Sequence, residues 1–114
     1  MFDYKPTHLI VDGELILPLP TKWEVEWFLY NIVKQIEMIP IAPVLTYETA
    51  LMLSSIQLIA ESHISLTVKK ASHMLFLDVF SCKLFDVTKV LVATQSTFSL
   101  KNVTHQVVER MVPN

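Results

Sequence analysis

The chain has one glycine and one cysteine among its 114 residues. The single glycine, Gly13, excludes a GxGxxG dinucleotide loop, a phosphate-cradling P-loop and a GxSxG nucleophile elbow, each of which needs at least two. The single cysteine, Cys82, excludes an intramolecular disulfide, and a lone cysteine is by default a small buried hydrophobe. No run of about 18 uncharged apolar residues exists, so no ordinary transmembrane helix is expected. A basic stripe is also lacking, and the formal charge is -2. These features argue against nucleic acid and against an electrostatic membrane anchor as partners. The opening MFDYKPTHLIVDGE carries acids where a signal peptide carries a basic region and an apolar run, which predicts a cytoplasmic protein.

What is present is apolar: 52% of residues are hydrophobic and 18% charged. That balance predicts a folded chain, and its length suits one domain over residues 1–114. Apolar surface in excess of what so small a monomer can cover predicts a homo-oligomer, with a C₂ homodimer as the commonest solution.

Periodicity divides the chain as β-α-β-β-β-β-α-β. His8–Val11 reads as a strand ended by the turn signal Asp12-Gly13. Thr21 and Glu24 fit a capping box, followed by the helical stripe Val25, Phe28, Leu29, Ile32, Val33 and Ile36. Pro40 and Pro43 bracket an edge or irregular strand over Ile41–Tyr47. Ser55–Ala60 and the alternating Ile64–Lys69 read as strands, and Met74–Phe80 as a central strand covered on both faces. Asp78 interrupts that strand and needs a partner. Lys70–His73 makes a hairpin loop, Asp86 caps a second helix with the stripe Val87, Val90, Leu91, Thr94 and Phe98, and Val103–Val108 is a last strand. The pattern predicts an α+β two-layer sandwich, a mainly antiparallel sheet with both helices on one face.

Few constellations carry chemistry. The histidines His8, His63, His73 and His105 have no close ligand spacing with one another or with Cys82, so no metal site is expected. Ser62, His63 and Asp78 do not make a hydrolase triad, because adjacent residues of an extended chain point to opposite faces. The Glu61-Ser62 bond offers another use. A serine hydroxyl can attack the carbonyl before it, and elimination from the resulting ester leaves a pyruvoyl group at a new N-terminus. That group is an electron sink: it takes up a substrate amine and stabilises the carbanion left when CO₂ departs. Such an enzyme needs no glycine-rich loop, but it does need a proton donor, for which a thiol is suited.

The segments Ala60-Glu61-Ser62-His63-Ile64 (AESHI) and Asp78-Val79-Phe80-Ser81-Cys82 (DVFSC), at their spacing, resemble the short prokaryotic S-adenosylmethionine decarboxylases. The opening HLIVD is similar to that family's first strand, and the likeness covers nearly the whole chain. The resemblance implies Glu61-Ser62 as the cleavage site, Ser62 as precursor of a pyruvoyl cofactor, Cys82 as proton donor and Ser54 as an aid to processing. His63 belongs to the motif, and through it is a candidate catalytic residue. Two departures stand out. Thr67 replaces a histidine that helps expel a proton during processing, and Ala71 replaces a glutamate that binds the substrate's ribose. A threonine is no base near neutral pH, and an alanine accepts no hydrogen bond. Three functions follow from the resemblance: decarboxylation of S-adenosylmethionine for spermidine synthesis, a turn to another substrate such as a basic amino acid or to another S-adenosylmethionine-consuming reaction, or an unprocessed, non-catalytic homologue.

Overall fold

The computed structural model describes residues 4–110. Its elements are β1 (Tyr4–Leu15), α1 (Lys22–Gln35), β2 (Leu45–Glu48), β3 (Met52–Ile59), β4 (Ser62–Lys69), β5 (Met74–Lys83), α2 (Val87–Phe98) and β6 (Leu100–Glu109). The strands form one sheet in the order β2-β3-β4-β5-β1-β6, every pair antiparallel. Both helices pack on one face of it, so the fold is the α+β sandwich that the sequence pattern predicts. No helix among the described residues is long and apolar enough to cross a membrane.

The helices form where their caps and stripes place them. Thr21 Oγ1 accepts the N–H of Glu24 at 3.2 Å, and the Glu24 carboxylate accepts the N–H of Thr21 at 2.9 Å. This satisfies two of the orphan donors that open any helix. The stripe Val25, Phe28, Leu29, Ile32, Val33 and Ile36 is buried on the sheet. Asp86 caps α2 by accepting the N–H of Lys89, and Val90, Thr94 and Phe98 go inward. The aromatic rings of Phe28 and Phe98 meet edge to face at 4.9 Å, joining the helices. On the far side of α1, Trp23 and Trp27 remain 73% and 68% exposed; nothing in the structure explains them.

Alternation along the strands separates the two sheet faces. Leu9, Val11, Leu53, Ile59, Ile64, Leu66, Val68, Leu75, Leu77 and Val79 point to the helices and are buried. Their neighbours in sequence form the opposite, open face. The expectation that β5 is covered on both faces is therefore corrected. Phe76, Asp78 and Phe80 are only half-buried, because both helices lie on the same side.

Boundaries also shift: β3 begins at Met52, β4 at Ser62 and β5 ends at Lys83, each beyond the expected bounds. Asp12-Gly13 is no turn: β1 runs through it, pairing with β5 without a break there. The glycine serves β6 instead. A Cβ at Gly13 would sit 2.9 Å from Leu100 Cδ1, and the register between β1 and β6 slips between Asp12 and Glu14. The strand expected over Ile41–Tyr47 is the shorter Leu45–Glu48, since Pro43 has no N–H to give a ladder. Pro40 instead bridges to Ile59, and the N–H of Ile41 donates to the Leu58 carbonyl. The last strand begins at Leu100, three residues earlier than the apolar pattern suggests.

Candidate active site

The β3–β4 hairpin closes in the fewest residues a hairpin uses: Ile59 pairs with Ser62, leaving Ala60 and Glu61 as the loop. So tight a turn demands unusual backbone, and Glu61 takes it with φ of 62°. Left-handed backbone is uncommon for a residue with a Cβ and stores strain. The strained residue contributes the carbonyl of the Glu61-Ser62 bond. The N–H of Ala60 donates to the Ile39 carbonyl at 3.0 Å, which fixes the turn against the chain leaving α1.

Ser62 starts β4 and pairs with Ser81 on β5. Its Oγ accepts the backbone N–H of the next residue, Cys82, at 3.3 Å. The strand register thus brings together two residues twenty positions apart in sequence. They do not share a face. Ser62 lies in the row of buried Ser81, on the helix side, whereas alternation puts the half-buried Cys82 side chain on the open face with Phe80 and Asp78.

His63 pairs with Phe80 on the open face, its ring 5.7 Å from the phenyl ring and tilted by 34°. His63 therefore faces away from Ser62, as adjacent strand residues must. The same phenyl ring collects further groups. His8 on β1 meets it edge-on at 6.4 Å, and the Arg110 guanidinium lies 5.7 Å from its centre. Asp78, half-buried on the open face, pairs with His8, whose Nε2 lies 3.0 Å from Oδ1. An aspartate inside an apolar strand signalled this pair; its histidine, 70 residues away, was not identifiable from spacing. One end of the open face thus holds Cys82, His63, Phe80, His8, Asp78 and Arg110 around Ser62's strand.

Ser54 and Thr67 lie elsewhere. They pair across β3 and β4, with their hydroxyl oxygens 3.0 Å apart. Thr67 is five residues beyond Ser62 on the same strand, about 17 Å along it at the usual rise per residue. Within one chain these hydroxyls do not reach the Glu61-Ser62 bond. They line a shallow groove of about 330 Å³ with Leu45, Tyr47, Ile56 and Ser65. Ala71 falls in the β4–β5 loop next to Lys70, whose ammonium pairs with Glu48 at 2.9 Å and also donates to the Thr49 carbonyl.

Both a family model and solved structures match the chain. The family model described as S-adenosylmethionine decarboxylase matches residues 7–111. The fold is similar to the crystal structure of the adenosylmethionine decarboxylase from Aquifex aeolicus VF5, with a TM-score of 0.78 and 20% identity, covering 97% of this chain and 94% of that one. No curated protein sequence matches.

Proposed function

For a chain that belongs to the S-adenosylmethionine decarboxylase family, we propose self-cleavage at Glu61-Ser62 and decarboxylation of S-adenosylmethionine through a pyruvoyl group made from Ser62. The observation that carries this reading is the hydrogen bond from Cys82 N–H to Ser62 Oγ beside a left-handed Glu61. The contact ties Ser62, the candidate nucleophile, to the backbone of Cys82 next to the strained Glu61 carbonyl, and supports this reading. The decarboxylated product would serve spermidine synthesis as an aminopropyl donor.

The residues present fit the group. Ser62 Oγ attacks the Glu61 carbonyl carbon; the C–N bond breaks and the nitrogen takes up the hydroxyl's proton, giving an ester and a free amine. Loss of the Ser62 Cα proton then expels the Glu61 carboxylate, and water replaces the nitrogen, which leaves as ammonia. The pyruvoyl group supplies an electron sink for a substrate amine whose carboxyl departs as CO₂. Cleavage leaves residue 62 with one peptide bond instead of two, free to turn from the helix side toward the open face. There Cys82 Sγ holds the proton for the carbon that lost CO₂. Phe80, His63 and His8 offer the flat apolar and polar walls that a nucleoside-bearing substrate would use.

The chain is proposed to act as a homodimer. Joining at sheet or helix edges, the simplest expectation for a small α+β chain, fits less well than joining at the open face. That face bears Leu45, Tyr47 and Leu58, which are 72%, 68% and 45% exposed. A second copy packed there covers them.

A second reading has its own observation. The hydroxyl pair Ser54–Thr67 contains no group able to take a proton near neutral pH, which favours an unprocessed homologue without catalysis. Intact mass of the purified protein separates the two. Processing gives pieces of residues 1–61 and 62–114, the second with a blocked N-terminus, and Ser62→Ala abolishes the split. An active decarboxylase that remains one intact chain would sink the pyruvoyl mechanism, and an intact, inactive chain would establish the second reading.

A further inference from the structure

A cavity of about 160 Å³ lies on the helix side of the Glu61-Ser62 bond. Its lining is Glu37, Met38, Ile39, Ala60, Glu61 and Lys83. Among the described residues, Lys83 is the one cation in that lining, and its ammonium is in no ion pair there. Its backbone, by contrast, is tightly held. Ser81 Oγ donates to the Lys83 carbonyl at 2.7 Å and accepts the Lys83 N–H at 3.0 Å. The other wall is held as well, since Ala60 N–H is bonded to the Ile39 carbonyl. A fixed strand end thus puts the exposed Lys83, free of ion pairs, at the edge of an open depression shared with Glu61.

An unpaired cation beside a neutral peptide has nothing to do until negative charge appears. Processing makes that charge at one place. When water takes the Ser62 Cα proton, the electron pair forms the Cα–Cβ double bond, the Cβ–Oγ bond breaks, and Glu61 departs with both oxygens as a carboxylate. Glu37 and Glu61 line the same cavity, so the new anion forms beside other carboxylates and gains from a nearby counter-charge.

Resting on the processing reading above, we propose that Lys83 receives the carboxylate leaving Ser62 and so promotes the elimination step of self-cleavage. A cation beside developing negative charge lowers the barrier to its formation. This assigns the lysine to the ester-to-pyruvoyl step and not to the turnover of substrate. It also supplies leaving-group assistance in a chain where Thr67 occupies the base position.

The test follows processing of freshly refolded chain by intact mass, with and without hydroxylamine, which cuts an ester and leaves a hydroxamate on Glu61. Lys83→Met is expected to slow elimination at least tenfold and to accumulate ester, read as hydroxylamine-sensitive chain, while Lys83→Arg stays near the native rate. Circular dichroism checks that each variant is folded, and Lys83→Arg keeps the comparison meaningful if Lys83→Met is not. A native rate and no ester build-up in folded Lys83→Met overturns the inference and leaves the processing reading intact. Equal slowing in Lys83→Arg and Lys83→Met also overturns it, since the charge would then be irrelevant. Native chain that neither splits nor reacts with hydroxylamine overturns both readings at once.

Discussion

Ser54 and Thr67 meet hydroxyl to hydroxyl at 3.0 Å across two strands, in the same chain as Ser62 but far along the sheet from it. If these hydroxyls act on the Glu61-Ser62 bond, they act on that of another chain. Light scattering should therefore report a dimer, and charge placed on the open face, as in Tyr47→Lys, should shift it toward monomer and slow processing together. A monomer that persists at high concentration and still splits would refute the arrangement.

Thr67→His should accelerate the split. An imidazole at that position restores a base, and positioned general bases are worth about 10²–10⁴-fold. The measurement is the fraction of cut chain with time. No change in rate would mean that the proton leaves by another route.

Cys82→Ala should leave the split at Ser62 largely intact, since the contact to Ser62 comes from the backbone N–H and survives the substitution. Turnover should fall by about 10²-fold or more, the range for a lost proton donor. Activity should also decay during the assay as protonation occurs on the wrong atom. An unaltered kcat would remove the thiol from the mechanism.

Ala71→Glu should tighten S-adenosylmethionine by about 1–3 kcal/mol, the worth of a charged hydrogen bond to a neutral group. Titration calorimetry on cleaved protein measures it. If the native chain turns over S-adenosylmethionine briskly and the carboxylate adds nothing, the case for a different substrate loses its main support. Decarboxylation of ornithine, arginine or lysine, with S-adenosylmethionine untouched, would establish that case.

Gly13→Ala should destabilise the fold by about 1–3 kcal/mol, the usual cost of forcing a methyl group into packed space. The new Cβ meets Leu100 at 2.9 Å. Denaturant unfolding of Gly13→Ala beside Gly13→Ala/Leu100→Ala would show partial recovery in the double variant. Equal stability of native and Gly13→Ala protein would mean that Leu100 yields freely.

Local signals were the legible ones. The capping box at Thr21 and Glu24 and the alternation from Ile64 to Val68 are each decided by neighbours in sequence, and the structure places them as the residues suggest. Gly13 misled because a glycine after an aspartate marks a turn only when nothing distant needs the space; here Leu100 needs it. The two motifs named Ser62 and Cys82, and the structure joins them through the Cys82 backbone N–H and not the thiol. The separation of Ser54 from Ser62 was not legible, since it depends on the register of β3 against β4 and no composition reveals register. Lys83 carried no sequence signal, because its relevance comes from the chain beyond α1 folding over the β3–β4 turn.

The strand order has a consequence for when the bond can be cut. β1 belongs to residues 1–61, yet it lies between β5 and β6, both from residues 62–114. A severed nascent chain would leave the later piece with an empty slot at the centre of its sheet and two strand edges open to any passing strand. Scission is thus safe only once the slot has been filled. A chain cut as proposed above would therefore have to be one whose sheet is already assembled.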